Sequence, residues 1–406
     1  MNLYKLAVAI FSVAYAMFIF SYPASYFNDD SLFFAKGIVN FSVVDFSPHF
    51  PGYPFVILFG KIVNFFIDDN KYSLFIVTAF SAVLIPIVLF IYVEKIIDSK
   101  GAFVVFLLTI TSVYMHNLSL SMLSDSVGLL FFFLAMYFLE LNKQKESGLL
   151  FGISFLSRPS YFVFFIGGLV YLCLYKRDRL KTTIIYFLAV VGSFLVFICI
   201  HSGVLYFDEA LRFIGGHFSL WGRGEGLEIT WIDNIIVYEN LIYLTLFIVF
   251  KFDKKFILLY MLFISYFFWV IFAQNPENIR HIIPLFFILN IFMYALKDRQ
   301  ILLVVILLFN TYNISKHKAF ISPTDQIANE ILDVNEVIIS NRSIEILREI
   351  YGYKVADAYY KDSTEYIKHS QKSYIITGQK PKEGNYKIYE GRFVGERNLY
   401  LLSNKI

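Results

Sequence analysis

Tyr26-Phe27-Asn28-Asp29-Asp30-Ser31-Leu32-Phe33-Phe34-Ala35 places two adjacent acids just after the apolar run Leu6 to Phe20. An ionised side chain at the mouth of a membrane helix is costly unless it faces water, a cation or a ligand. Read this way, the stretch marks the end of a first membrane helix and a polar site at the membrane surface. A plainer reading is a solvated helix start, capped by Asn28 or Asp29.

The whole chain agrees with life in lipid. Of its 406 residues, 58% are hydrophobic and 17% charged, against roughly 25% charge in soluble proteins. Mean hydropathy is +0.62, as expected of a polytopic α-helical membrane protein. A net charge of +3 leaves no basic footprint for nucleic acid. Cys173 and Cys199 both lie in apolar runs, so neither a disulfide framework nor a metal cluster is expected. Ala14-Tyr15-Ala16 has the small residues of a signal-peptide cleavage site, but the topology closes with that run kept as the first helix.

Segments able to cross about 30 Å of hydrocarbon recur near 4–22, 72–93, 102–118, 122–141, 148–157, 160–175, 183–203, 235–251, 256–273, 281–296 and 300–316. That predicts about 11 transmembrane helices within residues 1–316. Lys5, Lys95, Lys100, Lys143, Lys145, Lys176, Arg177, Lys254, Lys255, Lys297 and Arg299 fall in alternate connections, which sets those on the cytoplasmic side. The pattern closes if 148–175 turns at Ser157-Arg158-Pro159. Outward connections are then 23–71 and 204–234. Leu32–Phe41 and Phe55–Phe66 read as interfacial helices with Lys36 and Lys61 on their polar faces. The Gly-rich 204–234 stretch, with Gly215-Gly216 and Gly222-Arg223-Gly224, reads as a mobile lid or binding loop. Residues 317–406 change to soluble composition and predict a small extracytoplasmic α/β domain. Its strands are expected at 337–340, 374–377, 386–389 and 399–402, with a helix at 343–350. No G-x-G-x-x-G or P-loop occurs there, and no internal repeat of the kind many transporters show is visible.

On this topology Asp29, Asp30, Lys36, Asp45, His49, Asp125, Arg158, Arg212, His217, Arg223, Glu277 and Arg280 gather at outer helix mouths. Transporter charges concentrate near the midplane instead. Carboxylates, arginines and histidines at one face suit a reaction on a phosphorylated, membrane-anchored substrate. A carboxylate removes the proton of an acceptor hydroxyl, and cationic groups stabilise charge growing on a leaving phosphate. Asp29 or Asp30 supplies the first, and Arg280, Arg158 and His49 the second, since the arginine fork fits phosphate. Two carboxylates can also hold a divalent cation, but no dense oxygen-ligand motif accompanies them, so metal dependence stays open. Plainer roles also exist: Asp125 as a helix cap after Ser124, Arg158 as a snorkelling or turn residue, Arg280 paired with Glu277, His49 in a turn, and His217 and Trp221 packed at the interface.

Five segments, in order, resemble GT-C glycosyltransferases, closest to the protein O-mannosyltransferase and aminoarabinose-transferase group. Asn28-Asp29-Asp30-Ser31 resembles their first outer-loop acid pair, and Pro48-His49-Phe50-Pro51-Gly52-Tyr53-Pro54 their His-Pro-Pro-Gly-Tyr-Pro stretch. Ser124-Asp125 resembles the acid opening the fourth helix, and Gly152 to Pro159 the helix ending in Arg-Pro. Arg280-His281-Ile282-Ile283-Pro284 resembles the opening of a late helix. Phe50 replaces the usual first proline, and 204–234 matches nothing in the pattern. The resemblance spans roughly residues 20–300. It implies a polyprenyl- or dolichyl-phosphate sugar donor, inverting transfer to a glycan, lipid or protein acceptor at the outer face, and Asp29, the first acid, as base. His49, Asp125, Arg158, Arg280, His217 and Arg223 are then the candidate donor-phosphate and substrate residues, beside catalytic Asp29 and Asp30. A non-catalytic lipid or glycan transporter is the alternative reading, and an assembly partner whose outer domain binds a glycan is a third.

Overall fold

The computed structural model describes residues 3–220, 230–331, 337–358, 373–382 and 384–403. Its helices are α1 (Leu3–Phe20), α2 (Asp29–Val39), α3 (Pro54–Ile67), α4 (Asn70–Ile96), α5 (Ser99–Ile110), α6 (Val113–Leu120), α7 (Asp125–Glu140), α8 (Gln144–Ser157), α9 (Phe162–Tyr175), α10 (Arg177–His201), α11 (Val204–Leu220), α12 (Trp231–Ile235), α13 (Leu246–Val249), α14 (Ile257–Ala273), α15 (Ile283–Phe292), α16 (Gln300–Ser315) and α17 (Pro323–Glu330). The strands are β1 (Val337–Ser340), β2 (Lys354–Asp357), β3 (Ser373–Thr377), β4 (Tyr386–Tyr389) and β5 (Leu399–Ser403).

Helix covers each of the eleven expected segments, but fewer are long and apolar enough to cross unbroken. Among the described residues these are Leu3–Phe20, Asn70–Ile96, Arg177–His201, Lys254–Ala273 and Ile279–Asp298, while α5 and α6 are long and apolar enough only together and are bent by 61°. Pro159–Tyr175, Tyr238–Val249 and Gln300–Ser315 are apolar but shorter. The α5–α6 bend has a local cause. Thr111 Oγ1 donates back to the Leu107 carbonyl, and the Ser112 hydroxyl accepts from the Tyr114 N–H to start a new helix. Such side-chain bonds compete with continuing the helix.

Helix α4 forms the centre, packed against α1, α3, α5 and α7, with Ala79, Ala82, Ile85 and Leu89 fully buried. At one end Lys5 pairs with Glu94 at 3.1 Å, Lys100 with Asp298 at 3.4 Å, and Lys297 with Asp98. Groups expected to share the cytoplasmic side therefore meet at one end of the bundle.

Two glycines let chain segments close at the other end. A Cβ on Gly37 of α2 would lie 2.7 Å from Pro48 Cδ, and one on Gly128 of α7 would lie 2.6 Å from Arg158 Cβ. Both distances are far inside van der Waals contact. The glycines thus seat the His49 turn against α2 and Arg158 against α7.

The predicted 204–234 lid differs from the structure in its first half, which is helix α11. Tyr206 and Phe213 both pack on Phe50, with ring centroids 5.3 and 5.7 Å away. This tertiary packing overrides the poor helix propensity of Gly215 and Gly216. Arg223, Trp221 and the second glycine cluster lie outside the described residues.

The C-terminal unit is a mixed sheet ordered β2-β1-β3-β5-β4. Strands β1–β2 and β1–β3 are parallel, while β3–β5 and β4–β5 are antiparallel. The four expected strands are present, and β2 was not anticipated because Lys354-Val355-Ala356-Asp357 lacks a clear apolar run. Within the expected 343–350 helix a wide helical turn forms at Ile346–Ile350. The domain's own core joins Ile327 of α17 to Ile338, Leu347, Tyr353, Ile376 and Leu401.

Candidate active site

The site begins at the first turn of α2. Asn28 caps that helix: its side chain accepts from the Ser31 N–H at 3.3 Å, while Ser31 Oγ accepts from the Asn28 N–H at 3.3 Å. Asp29 and Asp30 then occupy the first turn, where the helix dipole favours negative charge. Residues adjacent on a helix point in different directions, and the two acids separate. Asp30 accepts from Arg280 Nη2 at 3.2 Å and from Asn28 Nδ2 at 3.5 Å. Asp29 turns toward the C-terminal domain, accepting the N–H groups of Ile344 and Ile346, each at 3.1 Å. The pair does not converge on one point as a two-carboxylate cation site needs, and among the described residues no three His, Cys, Asp or Glu side chains do.

From Asp30 a buried network joins all five motif segments. His49 Nδ1 lies 3.9 Å from Asp30, and His49 Nε2 is 3.0 Å from the Tyr53 hydroxyl. Arg280 Nη1 stands 4.0 Å from Asp125 Oδ2, and Arg158 Nε lies 3.1 Å from Asp125 Oδ1. Arg158 Nη2 donates to His281 Nδ1 at 3.3 Å. An arginine only donates, so that contact places the His281 ring proton on Nε2. Arg158, Asp125 and His281 are each less than 10% exposed. Asp125 is more than a helix cap and Arg158 more than a turn residue: they neutralise each other in the interior.

Burial alone would raise the Asp30 pKa, but His49, Arg280 and Arg158 outweigh it and hold the carboxyl below its usual range. Burial pushes the His49 imidazole below its usual pKa, and Asp30 offsets this only in part. Burial raises Asp29 instead, to about 6, against the two N–H bonds that favour its charge. His49 Nδ1 and Arg280 Nε are buried without a hydrogen-bond partner among the described residues, and a bound polar ligand would satisfy such groups.

These residues line one end of a cavity of about 730 Å³. Asp30, His49, Arg158, Arg280 and His217 border it, Asp125 sits just behind, and Asp29 is not on the wall. His217 ends α11 and donates through Nε2 to the Ala273 carbonyl at 2.9 Å, so it is tied into the site rather than merely packed at an interface. One flank is apolar, formed by Leu156 of α8, Val191, Phe194 and Leu195 of α10, and Phe213 and Ile214 of α11. Leu195 is 43% and Ile214 46% exposed, so this flank opens onto the outside of the bundle. The lining also carries the amide side chains of Gln274, Asn275 and Asn278.

Other charges expected at the outer mouths serve elsewhere. Glu277 pairs with Arg397 at 2.8 Å and stands 3.8 Å from Arg342, which leaves Arg280 to Asp30. Lys36 pairs with Glu349 at 2.7 Å, Asp45 accepts from Ser42 Oγ at 2.7 Å, and Arg212 pairs with Glu209 at 3.5 Å. Tyr53, His281, Gln274 and Asn278 were not anticipated as site residues. The first two stood inside quoted motifs, and the amides are the polar break between two apolar runs.

Residues 48–201 match the family model of dolichyl-phosphate-mannose-protein mannosyltransferase. That span carries His49, Asp125 and Arg158, three members of the network. The crystal structure of ArnT from Cupriavidus metallidurans in the apo state superposes with a TM-score of 0.53 at 10% identity, over 98% of each chain. The structural likeness, over nearly the whole of both chains, shows a shared fold, and the family match covers the part of it that runs from the His49 turn to the end of α10. No curated protein sequence matches it. The family match includes the turns that carry His49, Asp125 and Arg158, while Asp30 and Arg280 lie outside it.

Proposed function

We propose that this chain is an inverting glycosyltransferase of the GT-C type. It takes a sugar from a polyprenyl- or dolichyl-phosphate donor and passes it to a lipid-linked glycan, polysaccharide or protein at the outer membrane face. One observation carries the reading: the Asp30–Arg280 pair lines a cavity that also has an apolar set, partly exposed at Leu195 and Ile214, and a set of neutral amides. An isoprenoid chain fits the first set, its phosphate reaches Arg280, and the sugar faces the second.

The chemistry follows from the pair. Phosphate oxygens compete with Asp30 for the Arg280 fork, which suits bidentate contact. Losing that partner frees the Asp30 carboxylate and raises its basicity. Asp30 then takes the acceptor hydroxyl proton as the acceptor oxygen bonds to the anomeric carbon. The bond from that carbon to the phosphate oxygen breaks on the opposite face, so configuration inverts. Its electron pair stays on the phosphate, stabilised by Arg280 with Arg158 behind. His49 supports Asp30 at 3.9 Å. Geometry favours Asp30 over Asp29 as base, because Asp29 is already engaged with Ile344 and Ile346.

The test is incubation of purified chain in lipid nanodiscs with a panel of isoprenyl-phosphate sugars. Release of isoprenyl phosphate from one donor supports the reading; binding without turnover of any donor favours a transporter. The outward site is checked by cysteines replacing Lys318 and Lys254. An impermeant reagent should label the first in intact cells and not the second, and the reverse pattern puts Asp30 on the cytoplasmic side.

A further inference from the structure

The neutral amides of the cavity come from one short turn, Gln274-Asn275-Pro276-Glu277-Asn278, between α14 and the helical stretch that carries Arg280. The Asn278 N–H donates to the Asn275 carbonyl at 3.2 Å, and the Glu277 N–H donates to Asn275 Oδ1 at 2.9 Å. Gln274 and Asn275 are each 6% exposed. The side-chain amides of Gln274 and Asn278, and the amide nitrogen of Asn275, have no hydrogen-bond partner among the described residues. All three line the cavity, with Asn278 half-buried, so their amides present neutral donors and acceptors to a ligand there. Trp269 lines the same cavity and adds an aromatic surface. The charged groups on the described wall, Asp30, Arg158 and Arg280, are already paired, with each other or with Asp125. None is left over to balance a charged sugar substituent.

We propose that Gln274, Asn275 and Asn278 form the subsite for the transferred sugar, and that this sugar is neutral, its hydroxyls bonded by the three amides. This rests on the lipid-phosphate reading above and narrows it. Asn278 lies two residues before Arg280, so a sugar on these amides stays next to the phosphate. A uronic acid would bring a carboxylate with no free cation, and an aminosugar an ammonium that would compete for Asp30, the carboxylate that must take the acceptor's proton.

The experiment measures binding of three donors sharing one short isoprenyl phosphate, which carry a neutral hexose, a hexuronic acid or an aminosugar. The sugar-free isoprenyl phosphate is the control. Wild type should favour the hexose donor. Gln274→Ala and Asn278→Ala should each weaken that donor by roughly three- to tenfold, the range of one neutral hydrogen bond, and leave the sugar-free lipid unchanged. Gln274→Glu, isosteric with the native residue, should lose hexose preference and gain the aminosugar. Equal binding of all three donors by wild type, or unaltered hexose affinity in both alanine variants, overturns the subsite while the lipid-phosphate reading stands. Failure of the sugar-free lipid to bind wild type overturns both.

Discussion

Asp29 and Asp30 are neighbours in the chain but belong to two different regions. Asp30 faces the membrane half and completes a buried network with Arg280 and His49. Asp29 faces the C-terminal domain and holds the start of the helical turn at Ile346–Ile350 by two backbone N–H groups. The same division repeats across the cavity mouth, where Glu277 binds Arg397 of the domain and Arg280, three residues on, binds Asp30. The domain also meets the membrane half through Arg392 Nη1, which donates to the Ser25 carbonyl at 3.0 Å, and through Phe393 stacked on Phe27. Chemistry and docking are thus carried by alternate residues of the same segments. A soluble domain that grips one residue can set the geometry of the next.

The largest effect expected separates the two acids. Asp30→Asn keeps size but cannot accept a proton as the carboxylate does, so turnover should fall by about 10²–10⁴-fold. Asp29→Asn keeps one acceptor oxygen for the two N–H groups, which now bond one carboxylate oxygen each, so it loosens docking but should stay within about tenfold of wild type, below what loss of a general base causes. Single-turnover rates in nanodiscs read both. The opposite ranking returns the base to Asp29, as the family resemblance implies, and breaks the comparison.

Arg280→Ala comes next. It removes a guanidinium shared by Asp30 and the proposed phosphate, and truncating one partner of a buried pair costs about 2–5 kcal/mol. Donor affinity and turnover should both drop, and Arg280→Lys should recover only part, because lysine lacks the fork. An Arg280→Ala enzyme with native donor affinity would confine this residue to structural support of Asp30.

A smaller effect tests whether docking reaches the chemistry. Arg397 and Glu277 are partly exposed, at 31% and 24%, and such pairs contribute about 0.2–1 kcal/mol. Arg397→Ala should lower kcat a few-fold with KM for the donor unchanged, and Arg397→Lys should restore most of the loss. A change in KM alone would mean that the domain touches substrate rather than positions Asp30.

The smallest effect is on pH. The Asp29 pKa is raised from 3.8 to about 6 in the docked state, so that state binds the proton more tightly than an undocked, hydrated carboxyl would. Docking should therefore weaken as pH rises from about 3.8 to about 6 and stay level above that. Hydrogen exchange of the amides of residues 344–350 should show this slope, and Asp29→Asn should remove it. A slope of the opposite sign would mean that the two N–H bonds outweigh burial.

Much of this protein was legible in its sequence. Apolar length placed helix at every expected span, because burying or lipid-embedding an apolar run needs no knowledge of distant residues. Period-two patterns placed β1, β3, β4 and β5. The motif residues His49, Asp125, Arg158 and Arg280 could be singled out because charge in an apolar chain is costly wherever it falls. The partners of those charges were decided only by the tertiary structure. Arg280 had Glu277 three residues away, yet it pairs with Asp30, 250 positions distant, because the C-terminal domain claims Glu277. α11 became helix despite its glycines because Phe50 was there to pack on. Which of two adjacent acids faces the cavity depends on rotation about α2. That rotation is set by Gly37 against Pro48 and by the Ile344 and Ile346 amides, contacts between residues far apart in the chain.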